Sequence, residues 1–389
     1  MVKPAGARRR ANGEGSIYRT KNGRWRGAAS WIDVGGQRHR KYVTGKTQAD
    51  VRARLTQVQA GIERGETSTR MTVGDYLKQW VEAERQRVRP STWRQREQYV
   101  RTYLRPHLGR LVISKLTPAD VERMTSALVR SGLSPRTASH ARVILRKALT
   151  DALRDGIVSR NAAAQARPPR VARAEPRHLD PADIPRLLEV CKSEPLGPLV
   201  SLAVLTGMRQ GELIGLPWTA IDLEAPTLTV RQSMALAWDG SFELAEPKTS
   251  RSRRTMHLPK AAVESLRQQQ AQQDRDRDAA GDDWQDVDGL VFADPIGRPL
   301  RNWNVSNDFI ALLKRHGFTR IPFHGLRHSA ATALLASGVP LPVVSDLLGH
   351  AGIAITADTY AAVVPSLRKD AADAMDRLAS STPPPADTA

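Results

Sequence analysis

Six side chains that can donate to an oxyanion or act as a nucleophile follow one another in order in the second half of the chain. They lie in four distinctive segments, which read LTGMRQGEL, EPKTSRSRRTMHLP, HGLRHS and LLGHAGIAITADTY. In chain order they are Arg209, Lys248, His324, Arg327, His350 and Tyr360. The chain contains 47 Arg, so a lone arginine is better explained as a solvated surface group or a phosphate contact. The ordered set is what predicts a site.

Such a set suits the displacement of an oxygen at phosphorus without a metal ion. Guanidinium groups donate in a planar fork that matches two phosphate oxygens, so Arg209 and Arg327 are the candidate clamp. His350 would add a donor to a preorganised oxyanion site. A tyrosine hydroxyl, with a pKa of about 10, is protonated at neutral pH and needs a neighbouring base or cation before it attacks. Glu212 follows Arg209 by three residues on a predicted helix, so it could pair with an arginine and hold it in place.

These segments resemble the tyrosine recombinases, the family of phage-type integrases, over residues 178–379. The resemblance implies a mixed α+β catalytic domain in which Tyr360 is the nucleophile and His324 the general base. It makes Lys248 the general acid for the departing 5′-oxygen, in a turn that reads as a hairpin between the strands FELAE and RRTMHLP. The implied function is site-specific DNA recombination through a 3′-phosphotyrosyl intermediate: integration of a prophage or integrative plasmid and, with accessory factors, its excision.

No metal or other cofactor is expected. His324 and His328 are four residues apart, a spacing that can bind zinc, but the segment reads HGLRH rather than HExxH and no cysteine cluster completes a site. A phosphate-binding loop of the Walker type is absent from the sequence, so the reaction is expected to need no ATP.

The charge distribution favours a nucleic-acid partner. The net charge is +19, and residues 1–70 carry 16 Lys and Arg against 5 Asp and Glu. Residues 71–170 carry 20 against 8, whereas the remainder carries 23 against 27. Nearly all the excess positive charge therefore precedes the catalytic segments, and the first two parts are predicted to supply most of the electrostatic grip on DNA.

The sequence also predicts a cytoplasmic, DNA-associated protein without a membrane partner. The single cysteine, Cys191, excludes an intramolecular disulfide framework and fits a reducing compartment. No apolar run approaches the roughly 20 residues of a membrane helix, and no signal-peptide core follows the basic start of the chain.

Residues 1–62 are predicted to form an arm-type DNA-binding domain that begins with a flexible basic arm, residues 1–12. Strand-like segments SIYR, GRWRGAASWIDV and QRHRKYVTG precede a helix that Thr47 and Asp50 can cap. One helix behind three strands would leave a basic sheet face for DNA, although the same charges could merely keep a sheet soluble. The candidate DNA-binding residues are Arg24, Arg26, Arg38, Arg40 and Lys41.

Three further parts follow. Residues 72–165 read as a small helical core-binding domain, with helices predicted to start after Thr72, near Ser91, after Thr117 and after Ser134. The Pro-rich segment AAAQARPPRVARAEPR separates it from the catalytic domain, residues 178–379, and residues 380–389 form a tail predicted to be disordered. Seven aspartates between 274 and 288 predict a loop held away from phosphate. The segment SLRKDAADAMDRLAS could dock in a neighbouring protomer of a homotetramer or fold back onto its own domain.

The partners implied are double-stranded DNA attachment sites, an excisionase and a DNA-bending host factor. Three other functions stay open. A type IB topoisomerase would share the tyrosine chemistry, a chromosome-dimer resolvase usually lacks the extra amino-terminal domain, and a DNA-binding regulator would need no ordered hexad.

Overall fold

The chain folds mainly into helices with small antiparallel sheets. The computed structural model describes residues 16–32, 38–63, 71–172, 177–246 and 253–349, together with 352, 357 and 375–376. The chain divides into two compact units, residues 1–173 and 174–389. The expected fold class is confirmed, whereas the finer division into an arm-binding and a core-binding domain stays a prediction.

The first described element is a three-stranded antiparallel sheet with one helix packed against it. The strands and the helix are β1 (Ser16–Arg19), β2 (Trp25–Ile32), β3 (Arg38–Gly45) and α1 (Gln48–Glu63). As expected, Thr47 and Asp50 cap α1 reciprocally: each backbone N–H donates to the other's side-chain oxygen, at 3.2 and 3.1 Å. Val51 and Leu55 are buried against Ala29, which closes a small core between helix and sheet.

The strand register shows on which face of the sheet each of the predicted DNA-binding cations lies. Because opposed residues of an antiparallel pair share a face, Arg40, opposite Ser30, lies on the side away from α1 together with Arg26 and Arg38. The guanidinium carbons of Arg26 and Arg40 lie 4.7 and 5.2 Å from the centre of the Tyr42 ring, within cation–π range.

Two of the predicted cations lie elsewhere. Lys41 is opposite Ala29, on the face that carries α1, so it does not share a surface with Arg40. Arg24 precedes β2 at an exposed position.

A helical bundle follows the sheet within the same unit. Its helices are α2 (Val73–Glu84), α3 (Pro90–Tyr99), α4 (Arg105–Leu108), α5 (Pro118–Arg130), α6 (Pro135–Arg154) and α7 (Ala162–Gln165). The four predicted helix starts are confirmed: Thr72, Thr117 and Ser134 accept hydrogen bonds from backbone N–H groups three residues on, and α3 begins one residue before Ser91. A π-helical turn, Val100–Leu104, joins α3 to α4 and was not predicted.

The bundle core is mostly apolar, but it includes two buried carboxylates, Glu84 and Asp151. Asp151 on α6 accepts from the indole N–H of Trp80 on α2 at 2.8 Å and from the ammonium of Lys147, also at 2.8 Å. The Tyr76 hydroxyl donates to the carbonyl of Ala148 at 2.8 Å. These bonds fix α2 against α6 in register, in addition to the packing of their apolar faces.

The second unit holds seven helices among its described residues. They are α8 (Ile184–Cys191), α9 (Gly197–Thr206), α10 (Gln210–Ile214), α11 (Lys260–Ala280), α12 (Asn302–Arg315), α13 (Gly325–Ala336) and α14 (Leu341–Leu348). Helix α9, with the sequence GPLVSLAVLT, is apolar all round and almost wholly buried, as expected of a helix at the centre of a domain. Its carboxyl end leads directly into the segment of Arg209.

The five strands of this unit pair differently from the prediction. They are β4 (Ile221–Asp222), β5 (Thr227–Val230), β6 (Ser233–Leu236), β7 (Phe242–Ala245) and β8 (Arg254–His257). The expected hairpin between FELAE and RRTMHLP is wrong, because β7 pairs with β6 whereas β8 pairs with β5. Leu228 on β5 lies opposite Met256 on β8, and both side chains are buried in the main core. Their burial stabilises this pairing of strands that are distant in the sequence.

The acidic stretch 274–288 is in part helical, so the predicted loop is wrong for its first half. Residues 274–280 are the last turns of α11. Gln273 explains the extension: this buried amide accepts from the Trp218 indole N–H at 2.6 Å and donates to the Leu290 carbonyl at 2.8 Å. Those contacts fasten the end of the helix to the domain.

Candidate active site

Arg209 is positioned by a glycine that ends the central helix. Gly207 has a φ of 63°, the left-handed conformation that ends α9. A Cβ atom at Gly207 would lie 2.5 Å from the side chain of Leu348 and 3.5 Å from that of Ala330. Only glycine therefore lets the loop approach α13 and α14 so closely. Arg209 then takes an extended conformation as the residue before α10.

Glu212 makes the predicted pairing with Arg209. Its carboxylate accepts from Nη1 of Arg209 at 2.7 Å and from the Arg209 backbone N–H at 3.0 Å. The Glu212 side chain is 3% exposed, whereas that of Arg209 is 37% exposed. Arg209 also donates through Nη2 to the carbonyl of Gly349 at 2.9 Å. The guanidinium is thus held on one side by protein acceptors, and part of it faces solvent.

A second arginine shares the same carboxylate. Nη2 of Arg254 lies 2.9 Å from Oε2 of Glu212, and Nε of Arg254 donates to the carbonyl of Leu347 at 2.7 Å. The sequence reasoning missed Arg254. A signal was present, because Arg254, Met256 and Leu258 alternate along a strand and so share its inward face. An arginine at an inward position requires a buried partner.

Arg327 contacts the same loop from α13. It lies in the first turn of α13, is 3% exposed, and donates through Nη1 to the carbonyl of Gly207 at 2.8 Å. The loop from Gly207 to Arg209 is therefore held by contacts to α13 and to the end of α14. Arg209 and Arg327, which are 118 positions apart in the sequence, converge there.

Two imidazoles extend the cluster. His324 precedes α13, and its ring centre lies 5.1 Å from that of His328 in an edge-to-face arrangement. Much of His324 is open to solvent, yet partial burial of the ring, followed by the charges of Arg327 and Arg209, lowers its pKa below the ordinary value. Burial, then the charges of His324, Arg327 and His178, lowers the pKa of His328 to about 4. Both rings are therefore uncharged at neutral pH.

Three of the six predicted residues, Lys248, His350 and Tyr360, lie outside the described residues. Described residues lie next to the segments of His350 and Lys248. Gly349, which immediately precedes His350, ends α14 in the left-handed conformation and accepts from Arg209. Strand β8 begins six residues after Lys248. The described part of the site consequently contains Arg209, His324 and Arg327.

The described site contains two fixed guanidiniums and an uncharged imidazole, within a helical unit that has small sheets. Such groups are typical of a protein that binds a phosphate and neutralises charge on it. Comparison with known proteins agrees. The model of the phage integrase family matches residues 177–366, and that of the phage integrase N-terminal SAM-like domain matches residues 72–129.

Two curated relatives match nearly the whole chain. An integrase of Streptomyces ambofaciens is 30% identical over 386 residues, which cover 96% of this chain and 98% of the relative. A XerC-like tyrosine recombinase of Caldanaerobacter subterraneus subsp. tengcongensis is 29% identical over 366 residues, which cover 89% and 94%. The chain therefore belongs to the phage integrase family, and it is a tyrosine-type site-specific recombinase.

Solved structures share the fold. The Tn1549 transposon integrase in complex with transposon right end DNA matches with a TM-score of 0.67 and 22% identity, over 80% of this chain and 100% of that one. A lambda integrase from a tetramer bound to a Holliday junction matches with a TM-score of 0.55 and 18% identity, over 86% and 95%. In the part of the chain that the structure describes, no helix combines the length and apolarity needed to cross a bilayer.

Proposed function

We propose that the chain integrates a mobile genetic element, a prophage or an integrative plasmid, by cleaving and rejoining DNA through Tyr360. The Tyr360 oxygen attacks the scissile phosphorus, its proton passes to His324, and a 3′-phosphotyrosyl bond forms. The bond from phosphorus to the 5′-oxygen breaks, and that oxygen takes a proton from Lys248. The 5′-hydroxyl of a partner strand later attacks the phosphotyrosine and releases Tyr360, so the energy of the bond is retained.

The convergence of Arg209 and Arg327 on one loop is the observation that carries the proposal. Both guanidiniums are tethered by hydrogen bonds to protein acceptors before any substrate arrives. Preorganised donors of this kind stabilise a transition state because they need no rearrangement as charge builds on the oxygens. His350 would add a third donor, since it directly follows the Gly349 carbonyl that Arg209 binds.

The lowered pKa of His324 supports its role as the base. A general base must be uncharged to accept a proton, and the neighbouring arginines disfavour the imidazolium form. The chemistry assigned to these residues requires neither a divalent metal nor ATP.

The amino-terminal unit would supply the grip on DNA. The exposed sheet face that carries Arg26, Arg38 and Arg40 is proposed to bind arm-type sites, and the helical bundle to bind the core site beside the scissile phosphates. Because the lambda integrase named above forms a tetramer on a Holliday junction, we propose a homotetramer on two synapsed duplexes. An excisionase and a DNA-bending host factor would set the direction of the reaction.

Trapping on a suicide substrate tests the proposal. The probe is a nicked duplex with the core sequence from the ends of the element that encodes the chain. The wild-type protein should form a covalent protein–DNA adduct on it, with or without EDTA. Tyr360→Phe should bind the duplex with unchanged affinity and form no adduct, because only the nucleophilic oxygen is removed.

Arg209→Ala serves as the comparison variant, since it should lose adduct formation far more than binding. An adduct formed by Tyr360→Phe would show that another residue is the nucleophile. Absence of any adduct with the wild-type protein would refute the proposed function.

A further inference from the structure

Arg254 joins three segments that carry predicted catalytic residues. It begins β8, six residues after Lys248. Its Nη2 and Nη1 lie 2.9 and 3.3 Å from the two carboxylate oxygens of Glu212, and its Nε donates to the Leu347 carbonyl at 2.7 Å. The side chain is only 6% exposed. It therefore acts inside the protein rather than on its surface.

Arg209 also binds both Glu212 and a carbonyl at the end of α14. It binds Glu212 through Nη1 and, two residues beyond Leu347, the Gly349 carbonyl through Nη2. The last carbonyls of a helix lack intrahelical partners and carry partial negative charge, so the end of α14 is a favourable place for two cations. Glu212 and the end of α14 are thus shared by an outer arginine, Arg209, and an inner one, Arg254.

We propose that Arg254 is a positioning residue for DNA strand cleavage. It holds Glu212 and the end of α14 in the arrangement that directs Arg209 toward the phosphate. The same contacts fix the point from which the His350 segment starts. The inference rests on the proposed function, since it assumes that Arg209 binds the scissile phosphate. Arg254 itself does not touch the substrate.

The geometry requires an arginine at this position. The planar guanidinium donates to the carboxylate with one edge and to a carbonyl through Nε, in fixed relative directions. A lysine ammonium is a single point charge on a flexible chain, so it can satisfy Glu212 or Leu347 but does not fix both in place. Lysine would therefore preserve the local charge but would not hold Glu212 and the end of α14 in a fixed relative position.

The ionisation of Glu212 gives a readout that simple loss of packing would not change. Burial raises the pKa of this carboxyl, but the hydrogen bonds and charges of Arg254 and then Arg209 outweigh it and lower the pKa below its ordinary value. Among the described residues, these two arginines are the charged groups that contact Glu212. Without Arg254 the burial remains, so the pKa rises, and Glu212 becomes protonated and releases Arg209 at a higher pH.

The experiment compares Arg254→Met and Arg254→Lys with the wild-type protein on the nicked duplex. The measurements are the single-turnover rate of adduct formation from pH 5 to 8, the affinity for the duplex, and Tm. Arg254→Met should cleave about 10- to 100-fold more slowly, the effect of small misplacements of catalytic groups, with nearly unchanged DNA affinity. The acid side of its pH profile should move to higher pH. Arg254→Lys should restore the position of the acid side but only part of the rate.

A matched control breaks a different arginine–carboxylate pair in the same unit. Arg298 binds Asp294 at 2.8 Å and is largely exposed, so Arg298→Met should leave both the rate and the pH profile unchanged. A wild-type rate and pH profile in Arg254→Met would overturn the inference while leaving the proposed function intact. If that variant does not fold, the same result in Arg254→Lys would overturn it. Failure of the wild-type protein to form an adduct would instead refute the proposed function.

Discussion

Arginine is used in two different ways on the amino-terminal sheet and in the second unit of the chain. On the amino-terminal sheet, the half-buried Arg26 and the exposed Arg40 both lie over the Tyr42 ring, on the face away from α1. In the second unit, Arg254 and Arg327 are almost fully buried, and each donates a hydrogen bond to a backbone carbonyl. A solvated cation contributes mainly its charge to DNA binding, whereas a buried, hydrogen-bonded guanidinium contributes a fixed direction.

The difference also has an energetic side. A buried charge is tolerated only when its partners are present, and removing one partner of a buried ion pair costs about 3–5 kcal/mol. Glu212 and its two arginines are therefore expected to form a cooperative unit, in which loss of one member disturbs the others. The sheet cations are not held by a buried carboxylate, so the coupling expected between them is weaker and passes through the Tyr42 ring that Arg26 and Arg40 share.

Replacing arginine by lysine at one position in each region should give the largest contrast. Arg327→Lys keeps the charge but loses the planar guanidinium that Nη1 anchors to the Gly207 carbonyl, so the single-turnover cleavage rate should fall about 10²- to 10³-fold, as for loss of an oxyanion donor. The affinity for core DNA should change little. Arg40→Lys, the matched substitution on the sheet, should leave binding to arm-type DNA almost unchanged. Equal effects of the two substitutions on their respective assays would break the comparison.

Removing charge from the sheet should affect the salt dependence of binding rather than cleavage. In Arg26→Ala/Arg40→Ala, the slope of log K against log salt for arm-type DNA should decrease in magnitude by about 2, since each lost phosphate contact contributes about 0.9. The cleavage rate on a core-only duplex should not change. Lys41→Ala removes one charge from the other face of the sheet. If it lowers the slope by about 0.9, the value for one lost phosphate contact, the assignment of the binding face from the strand register is wrong.

The pH dependence of cleavage should show the smallest effect near neutrality. As the proposed base, His324 would act only when uncharged, and its pKa lies below the ordinary value for histidine, about 6.5. The single-turnover rate should therefore stay nearly constant from pH 8 down to about 6.5 and decline only at lower pH, as the ring becomes protonated. His324→Gln should be slow at every pH and lose this decline. A wild-type rate that already halves between pH 8 and 7 would contradict the neutral-base assignment.

Features that depend on contacts within three or four residues were predictable from the sequence. The caps at Thr47, Thr72, Thr117 and Ser134 are present as predicted. In each, a hydroxyl accepts from the backbone N–H three residues later, a contact set by the local geometry of a helix start. The pairing of Glu212 with Arg209 is of the same kind. The family could also be recognised from the sequence, because its motifs are segments of consecutive residues.

Features that depend on distant packing were not predictable. Alternation with Met256 and Leu258 indicates that Arg254 faces inward, but the sequence does not show what it contacts there; the structure places it against Glu212 and the end of α14. The pairing of β8 with β5 and the extension of α11 through residue 280 likewise follow from buried partners far away in the chain. The sequence by itself determined which residues are the candidates for phosphoryl transfer, since local patterns single them out. The tertiary structure alone decided which arginine faces solvent and which braces another, because desolvation and hydrogen-bond geometry are fixed only when separate segments pack together.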